Sequence, residues 1–243
     1  MGPNKLVYTF GTAVSEYAVR VRTFSRNARL YLLNVVIVGA AMGVFRLLFN
    51  FYVLSLGYDE ALLGTLITIS SMTALLVALP MGYLADILGR KNSLLISGAL
   101  MSASIMAIVI WPSQETLYGM NVVSGIGQSL GAVTMAPFLM ENSGEKERTY
   151  LFSFSSGLQM AMASVGNWIG GYLPTWIRTT RGLPVVSSEA YAGALMVVSL
   201  TIAVGLLPLF LLRTPRLKVS EKSVFAPITY ASKNPTLLGK MIL

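Results

Sequence analysis

Long stretches without charge dominate the pattern of hydrophobic and polar positions along this chain. Five of them hold at least 23 residues each, at 61–85, 92–114, 116–140, 149–177 and 190–212. A sixth apolar stretch, about 30–56, contains one charge, Arg46. A helix of about 20 apolar residues crosses the hydrocarbon core of a bilayer, and long runs without a two-residue alternation predict helices rather than barrel strands. The pattern therefore predicts an all-α membrane protein, a bundle of six transmembrane helices.

The connections and flanks divide the chain further. Short loops such as 57–60 and 86–92 favour antiparallel neighbours in one bundle, and a longer outer loop is expected at about 177–189. The predicted segments are a basic cytoplasmic amino-terminal segment, the bundle, a cytoplasmic linker and the truncated start of a seventh helix, at 1–29, 30–213, 214–236 and 237–243. The first segment is either a surface helix or a basic tail.

Composition supports a membrane location. The chain is 54% hydrophobic and 12% charged, against roughly 25% charged residues in ordinary soluble domains. Its net charge of +8 comes from basic residues that cluster on one predicted side, with fifteen of the 18 Lys and Arg there and only Arg178 and Arg181 opposite. This asymmetry predicts that both termini are cytoplasmic. It also explains the basic charge without nucleic-acid binding, which we exclude.

The missing residue types exclude several kinds of chemistry. The chain has no cysteine and no histidine, so disulfides, thiol catalysis and the usual zinc sites are absent from it. The predicted spans also contain no Asp or Glu well inside the membrane. An enzyme needs convergent nucleophilic, basic or metal-binding groups. We therefore expect no enzyme activity, no metal site and no cofactor.

One segment carries a recognisable pattern at the predicted cytoplasmic end of the second span. It has the sequence GYLADILGRKNSL, and its glycines and charges are Gly82, Asp86, Gly89, Arg90 and Lys91. The glycines permit a tight turn between packed helices. The segment resembles the signature loop of the major facilitator superfamily, although Ile87 stands where many members carry a basic residue.

The resemblance implies a secondary active transporter that works by alternating access. It implies that the loop residues Gly82, Asp86, Gly89, Arg90 and Lys91 gate the cytoplasmic side together with Glu141 and Arg148. It also implies a twelve-helix fold, so this chain would be the amino-terminal half, with the carboxy-terminal half missing, or two copies would assemble. The alternatives are a multidrug or metabolite efflux transporter of the same superfamily and, in another class, a membrane scaffold or sensor.

The first predicted span offers the sharpest candidate for solute binding. Gly39, Gly43, Arg46 and Asn50 fall on one helical face. A charge inside the membrane costs at least about 2.5 kcal/mol on insertion scales, so Arg46 is a functional candidate. Its planar guanidinium suits a carboxylate or phosphate and favours an anionic or zwitterionic metabolite. Alternatively, Arg46 reaches outward to acidic residues 59–60, or it pairs with the missing half for structure.

Polar and small residues in the fourth and fifth spans complete the candidate set. Asn121 and Gln128 are further candidates for solute contact. The segment 166–171 is similar to the end of a motif of exchangers and drug exporters, with Asn167 in place of its proline. Small residues commonly let helices approach closely in lipid, and the predicted packing or hinge positions are Gly39, Gly43, Gly157, Gly166, Asn167, Gly170 and Gly171. The expected partners are a small-molecule solute and the lipid bilayer of a cell membrane, in a source that the short loops suggest is prokaryotic.

Overall fold

A computed structural model describes residues 24–184 and 187–213 of the chain. Within these ranges the secondary structure is helical, without strands. The helices are α1 (Arg26–Ser55), α2 (Glu60–Leu76), α3 (Ala78–Leu88), α4 (Arg90–Ile110), α5 (Gln114–Glu141), α6 (Glu145–Arg181), α7 (Ser188–Gly205) and α8 (Leu207–Phe210). The predicted linker 214–236, the predicted helix start 237–243 and most of the predicted segment 1–29 lie outside the described residues.

Side-chain caps fix the starts of three of the long helices. Ser25, Asp59 and Ser113 each precede a helix and accept a hydrogen bond from the backbone N–H three residues later, at 3.1, 2.8 and 3.2 Å. Such caps satisfy one of the N–H groups that a helix leaves unpaired at its start. The helix starts therefore follow from local sequence.

Four helices are long and apolar enough to cross a membrane: α1, α4, α5 and the α7–α8 pair. The α2–α3 pair counts as a fifth if it forms one bent span. Helix α6 has 37 residues, but its many serines, together with Gln159 and Asn167, lower its hydropathy. The membrane class of the fold is confirmed, whereas the six-span count and the cytoplasmic placement of the termini stay predictions.

The second uncharged stretch is a broken helix rather than a continuous one. Helices α2 and α3 meet at an angle of 59° around Val77. Pro80 follows the break, and a proline has no N–H to donate to the carbonyl of residue i−4, here Leu76, with which its ring also clashes. The regular bonds from Val77 N to Thr73 O and from Met81 N to Val77 O frame the break.

Helix α6 is longer than its uncharged stretch. It begins at Glu145 and continues to Arg181, where Gly182, with φ +65°, ends it. The outer loop therefore begins at residue 182 rather than at about 177, and Ile177 is buried within the helix. Acidic residues in the first turn and basic residues in the last turn suit the helix dipole. The charged residues therefore belong to the helix and do not lie in the loops outside it.

Helices α1 and α5 make few direct contacts, and one of them is at the predicted cytoplasmic end, where the rings of Tyr31 and Phe138 lie 5.1 Å apart. Helix α1 packs mainly against α6 and α7, helix α5 packs mainly against α4 and α2, and α4 meets α7. One buried cluster lies around Leu48, Tyr52 and Leu66, and another lies at the predicted cytoplasmic end around Tyr31, Phe138 and Leu209. Helices α1 and α5 thus pack mainly on different neighbours.

Candidate solute pathway and cytoplasmic ion-pair cluster

Helices α1 and α6 cross with their backbones in contact. A Cβ atom added to Gly43 would lie 2.1 Å from the carbonyl oxygen of Ala163, and one added to Gly166 would lie 2.0 Å from that of Ala40. No side chain fits at either position. Gly39 and Gly170 border the same crossing, where an added Cβ would lie 3.2 Å from Met162 Cβ and 3.3 Å from Val44 Cα.

The other predicted packing positions of α6 lie away from this crossing. An added Cβ at Gly157 or Gly171 would meet nothing within 4 Å, and Asn167 is exposed. The same helical face includes the exposed Ser153, Met160 and Ser164. This face of α6, which is rich in small and polar residues, has no helix packed on it within the described part of the chain.

Arg46 is exposed on α1, three residues after the crossing glycine Gly43. Within residues 24–184 and 187–213, the guanidinium makes neither a hydrogen bond nor an ion pair. Asp59 instead caps α2 through Leu62 N, and the ion pairs in the described residues all lie elsewhere. The outward pairing of Arg46 with residues 59–60 is therefore absent from this structure.

The glycines and Arg46 share a helical face but not a role. Gly39 and Gly43 are buried against α6, while Arg46 is exposed and Asn50 is partly buried. The face is thus occupied by packing in its first half and open in its second half. The open half places the guanidinium of Arg46 and the amide of Asn50 four residues apart, which is about one helical turn.

Helix α5 repeats this arrangement against α2. An added Cβ at Gly125 would lie 2.5 Å from the carbonyl oxygen of Ser70. Next to this contact, the exposed Gln128 donates from Nε2 to Ser70 Oγ at 3.1 Å and to Ser124 Oγ at 3.3 Å. A polar cluster therefore lies beside the α2–α5 crossing. The sequence reasoning missed Ser70 and Ser124, although Ser70 belongs to a small Ser-Ser-x-Thr group within an otherwise apolar run.

Asn121 occupies a different environment from Gln128. Its side chain is 6% exposed, and Nδ2 donates to Leu117 O of its own helix at 2.8 Å. The structure therefore turns Asn121 into the bundle, and its predicted contact with solute receives no support from this placement.

At the predicted cytoplasmic end, Arg90 joins two carboxylates. Its Nη1 donates to Asp86 Oδ1 at 2.7 Å and its Nε to Glu141 Oε1 at 3.0 Å. The side chain of Arg90 is 18% exposed, against 66% for Asp86 and 38% for Glu141. Gly89, with φ +78° and ψ 156°, forms the corner between α3 and α4 that brings Arg90 to this point. The cluster thus links the ends of α3, α4 and α5.

Three residues predicted to gate do not join this cluster. Lys91 Nζ donates to Phe210 O at 2.6 Å and to Leu212 O at 3.1 Å. Arg148 Nε is buried and meets no acceptor among the described residues. An added Cβ at Gly82 would meet nothing within 4 Å. The structure therefore assembles Asp86, Arg90 and Glu141 and places the other three elsewhere.

Long apolar helices, glycine crossings and a charge cluster at one end define a polytopic helical membrane protein. The profile of the Major Facilitator Superfamily matches residues 31–243. Because that match covers most of the chain, the chain belongs to this superfamily of membrane transporters, and the resemblance seen in the segment 82–94 is confirmed. A comparison with curated proteins found no match.

Proposed function

We propose that this protein is a secondary active transporter that moves a small anionic or zwitterionic metabolite by alternating access. Membership of the superfamily supports transport. The solute class rests on one observation, namely that Arg46 is exposed on the open half of α1 and unpaired among the described residues. A guanidinium held in a poorly hydrated environment binds a carboxylate or phosphate with two parallel hydrogen bonds.

The surroundings of Arg46 favour an external counter-ion. The segment between Arg46 and Asp59 contains no acidic residue, and the other predicted spans contain none either. A cation inside the membrane without a partner is costly, so a solute anion, or an acidic group of a second bundle, would lower that cost. Gln128 and Asn50 add hydrogen-bonding groups that suit a polar solute. A cationic drug is disfavoured at this position, which makes efflux of such drugs the weaker alternative.

The proposal includes a second bundle that completes the pathway. The open face of α6 carries Gly157, Asn167 and Gly171, and polar groups turned toward lipid are unfavourable. Small and polar residues are the ones through which membrane helices associate. Either a carboxy-terminal half or a second copy would cover this face. We also propose a cell-membrane location with cytoplasmic termini, supported by the one-sided basic charge.

Transport by the full-length protein in proteoliposomes tests the role of Arg46. We expect Arg46→Ala to reduce kcat/KM for carboxylate or phosphate solutes by roughly 10- to 100-fold, because a hydrogen bond to a charged group contributes about 1.5–3 kcal/mol. Arg46→Lys should retain part of this activity. Arg178→Ala, which removes an arginine at the end of α6, is the control and should transport normally. Anion transport that is unchanged in Arg46→Ala would contradict the assignment.

A further inference from the structure

Three side chains of α1 and α4 hold the backbone where α7 and α8 end. Lys91 binds two carbonyl oxygens, Asn27 pairs with the backbone of Arg213, and Asn34 Nδ2 donates to Gly205 O at 2.6 Å. We name Asn27, Asn34 and Lys91 the exit clamp, because all three bind backbone groups at or just after the ends of α7 and α8. The family resemblance assigned Lys91 only to the gate, and the two asparagines had no predicted role.

Each member of the exit clamp satisfies backbone groups that the helices leave free. Pro208 has no N–H, and Leu209 N donates to Leu206 O, so the carbonyl of Gly205 has lost its helical donor and receives Asn34 instead. The last carbonyls of a helix lack intrahelical partners and carry partial negative charge. The ammonium of Lys91 meets the carbonyl of Phe210, the last residue of α8, at 2.6 Å and that of Leu212, two residues beyond it, at 3.1 Å.

Asn27 fixes the direction of the chain at Arg213. Its Nδ2 donates to Arg213 O at 2.8 Å, and its Oδ1 accepts from Arg213 N at 3.1 Å. The amide therefore pairs with one residue through both of its polar atoms. The same Nδ2 also donates to Asn142 Oδ1 at 2.9 Å, which connects the start of α1 with the turn between α5 and α6.

The exit clamp lies next to the ion-pair cluster in sequence. Lys91 directly follows Arg90, and both side chains extend from the first turn of α4. A displacement of the backbone at residues 210–213 would move Lys91 and, through the rigid first turn, Arg90. The contacts of Lys91 with residues 210–212 and those of Arg90 with the carboxylates thus start from one helical turn. Contiguous contacts of this kind can carry coupling between two sites.

We propose that the exit clamp couples the position of the chain at residue 213 to the first turn of α4, and so to the Arg90 cluster. A shift of the backbone at residues 210–213 is transmitted to the cluster through Lys91. This device is independent of the solute, and it holds whether or not Arg46 binds an anion.

Hydrogen exchange of the full-length protein in lipid nanodiscs tests the coupling, because exchange rates report local opening. Asn27→Leu removes contacts with residue 213 and with Asn142 but none with α4, and Asn142→Ala, which removes only the second of these two, is its control and should leave peptides covering 90–96 unchanged. We expect Asn27→Leu to accelerate exchange by roughly fivefold, the equivalent of one lost hydrogen bond, both in peptides covering 207–213 and in peptides covering 90–96. Lys91→Met should accelerate exchange at 207–213 by roughly tenfold, and Lys91→Arg should restore protection.

Two controls distinguish this coupling from a general loosening of the fold. Asn92→Ala removes a neighbouring amide that donates to Leu88 O and should leave the exchange rates of residues 207–213 unchanged. Peptides covering 117–130 should exchange as in the wild type in every variant. Asn27→Asp keeps the acceptor for Arg213 N and should give a smaller acceleration at both ends if Asn27→Leu does not fold. Acceleration confined to 207–213, or absent from both segments, would overturn the proposal.

Discussion

Gly89 is the residue of the signature segment that the backbone itself requires. Its φ of +78° and ψ of 156° lie in a region that essentially only glycine occupies. Gly82 belongs to the same segment but lies inside α3, where an added Cβ would meet nothing within 4 Å. The two glycines therefore differ in the reason for their presence, although the sequence pattern treats them alike.

Replacing each of these glycines by alanine should separate the two cases. We expect Gly89→Ala to lower the free energy of unfolding by about 1–3 kcal/mol through backbone strain, and to loosen the Arg90 cluster. Gly82→Ala should be neutral or stabilise by about 0.4–1 kcal/mol, since alanine restricts the unfolded chain. Thermal unfolding in detergent measures both, and equal effects would contradict this account of the turn.

The three members of the charge cluster could be predicted, but the contacts of the neighbouring basic residues could not. Asp86, Arg90 and Glu141 were expected together from the family resemblance, and the structure brings them together. Lys91 and Arg148 carry the same charge as Arg90, yet neither joins the cluster. A lysine in a loop predicts a positive charge near other charges, whereas the contact of Lys91 with two carbonyl oxygens at and after the end of α8 depends on where a helix distant in sequence ends. No local pattern contains that information.

At the scale of elements, glycine crossings decide how the helices pack. The α1–α6 crossing brings the backbone atoms of Ala40 and Ala163 against Gly166 and Gly43. Helix α5 meets α2 at Gly125 in the same manner. Because lipid tails are as apolar as the helix surfaces, close packing and hydrogen bonds hold such pairs together.

Alanine at the α1–α6 crossing should separate the helices. We expect Gly43→Ala and Gly166→Ala each to destabilise the protein by about 1–3 kcal/mol or more, because the clash is with backbone that cannot rotate away. Gly64→Ala in α2, where an added Cβ would meet nothing within 4 Å, is the matched control and should have little effect on the melting temperature. A normal melting temperature for Gly43→Ala would show that the helices do not approach this closely.

The uncharged stretches predicted the positions of the helices more accurately than the breaks and lengths of the individual helices. Helices α1, α4 and α5 begin and end within about four residues of their stretches, because apolar length largely determines them. The break at Val77 was missed, although Pro80 is a local signal that could have indicated it. The length of α6 was missed because its terminal charges favour the helix dipole and extend the helix beyond the uncharged core.

For the whole molecule, the packing divides the bundle into two similar sets of contacts. Helix α1 is held mainly by α6 and α7, and α5 is held mainly by α2 and α4, while α1 and α5 make few contacts with each other. Arg46 and Gln128 are exposed on these two helices. We therefore propose that the solute pathway runs along the exposed faces of α1 and α5 that carry these two residues, where a transporter would expose it first to one side and then to the other.

Accessibility of one engineered cysteine tests this pathway most directly, because the natural chain has no cysteine. In Gln128→Cys, a membrane-impermeant maleimide should label the thiol from either side of oriented membrane vesicles that carry the full-length protein. Leu130→Cys, at a position of α5 that is 1% exposed, should remain unlabelled from both sides. Labelling of position 128 from one side only, or from neither, would contradict a pathway that opens alternately to both sides.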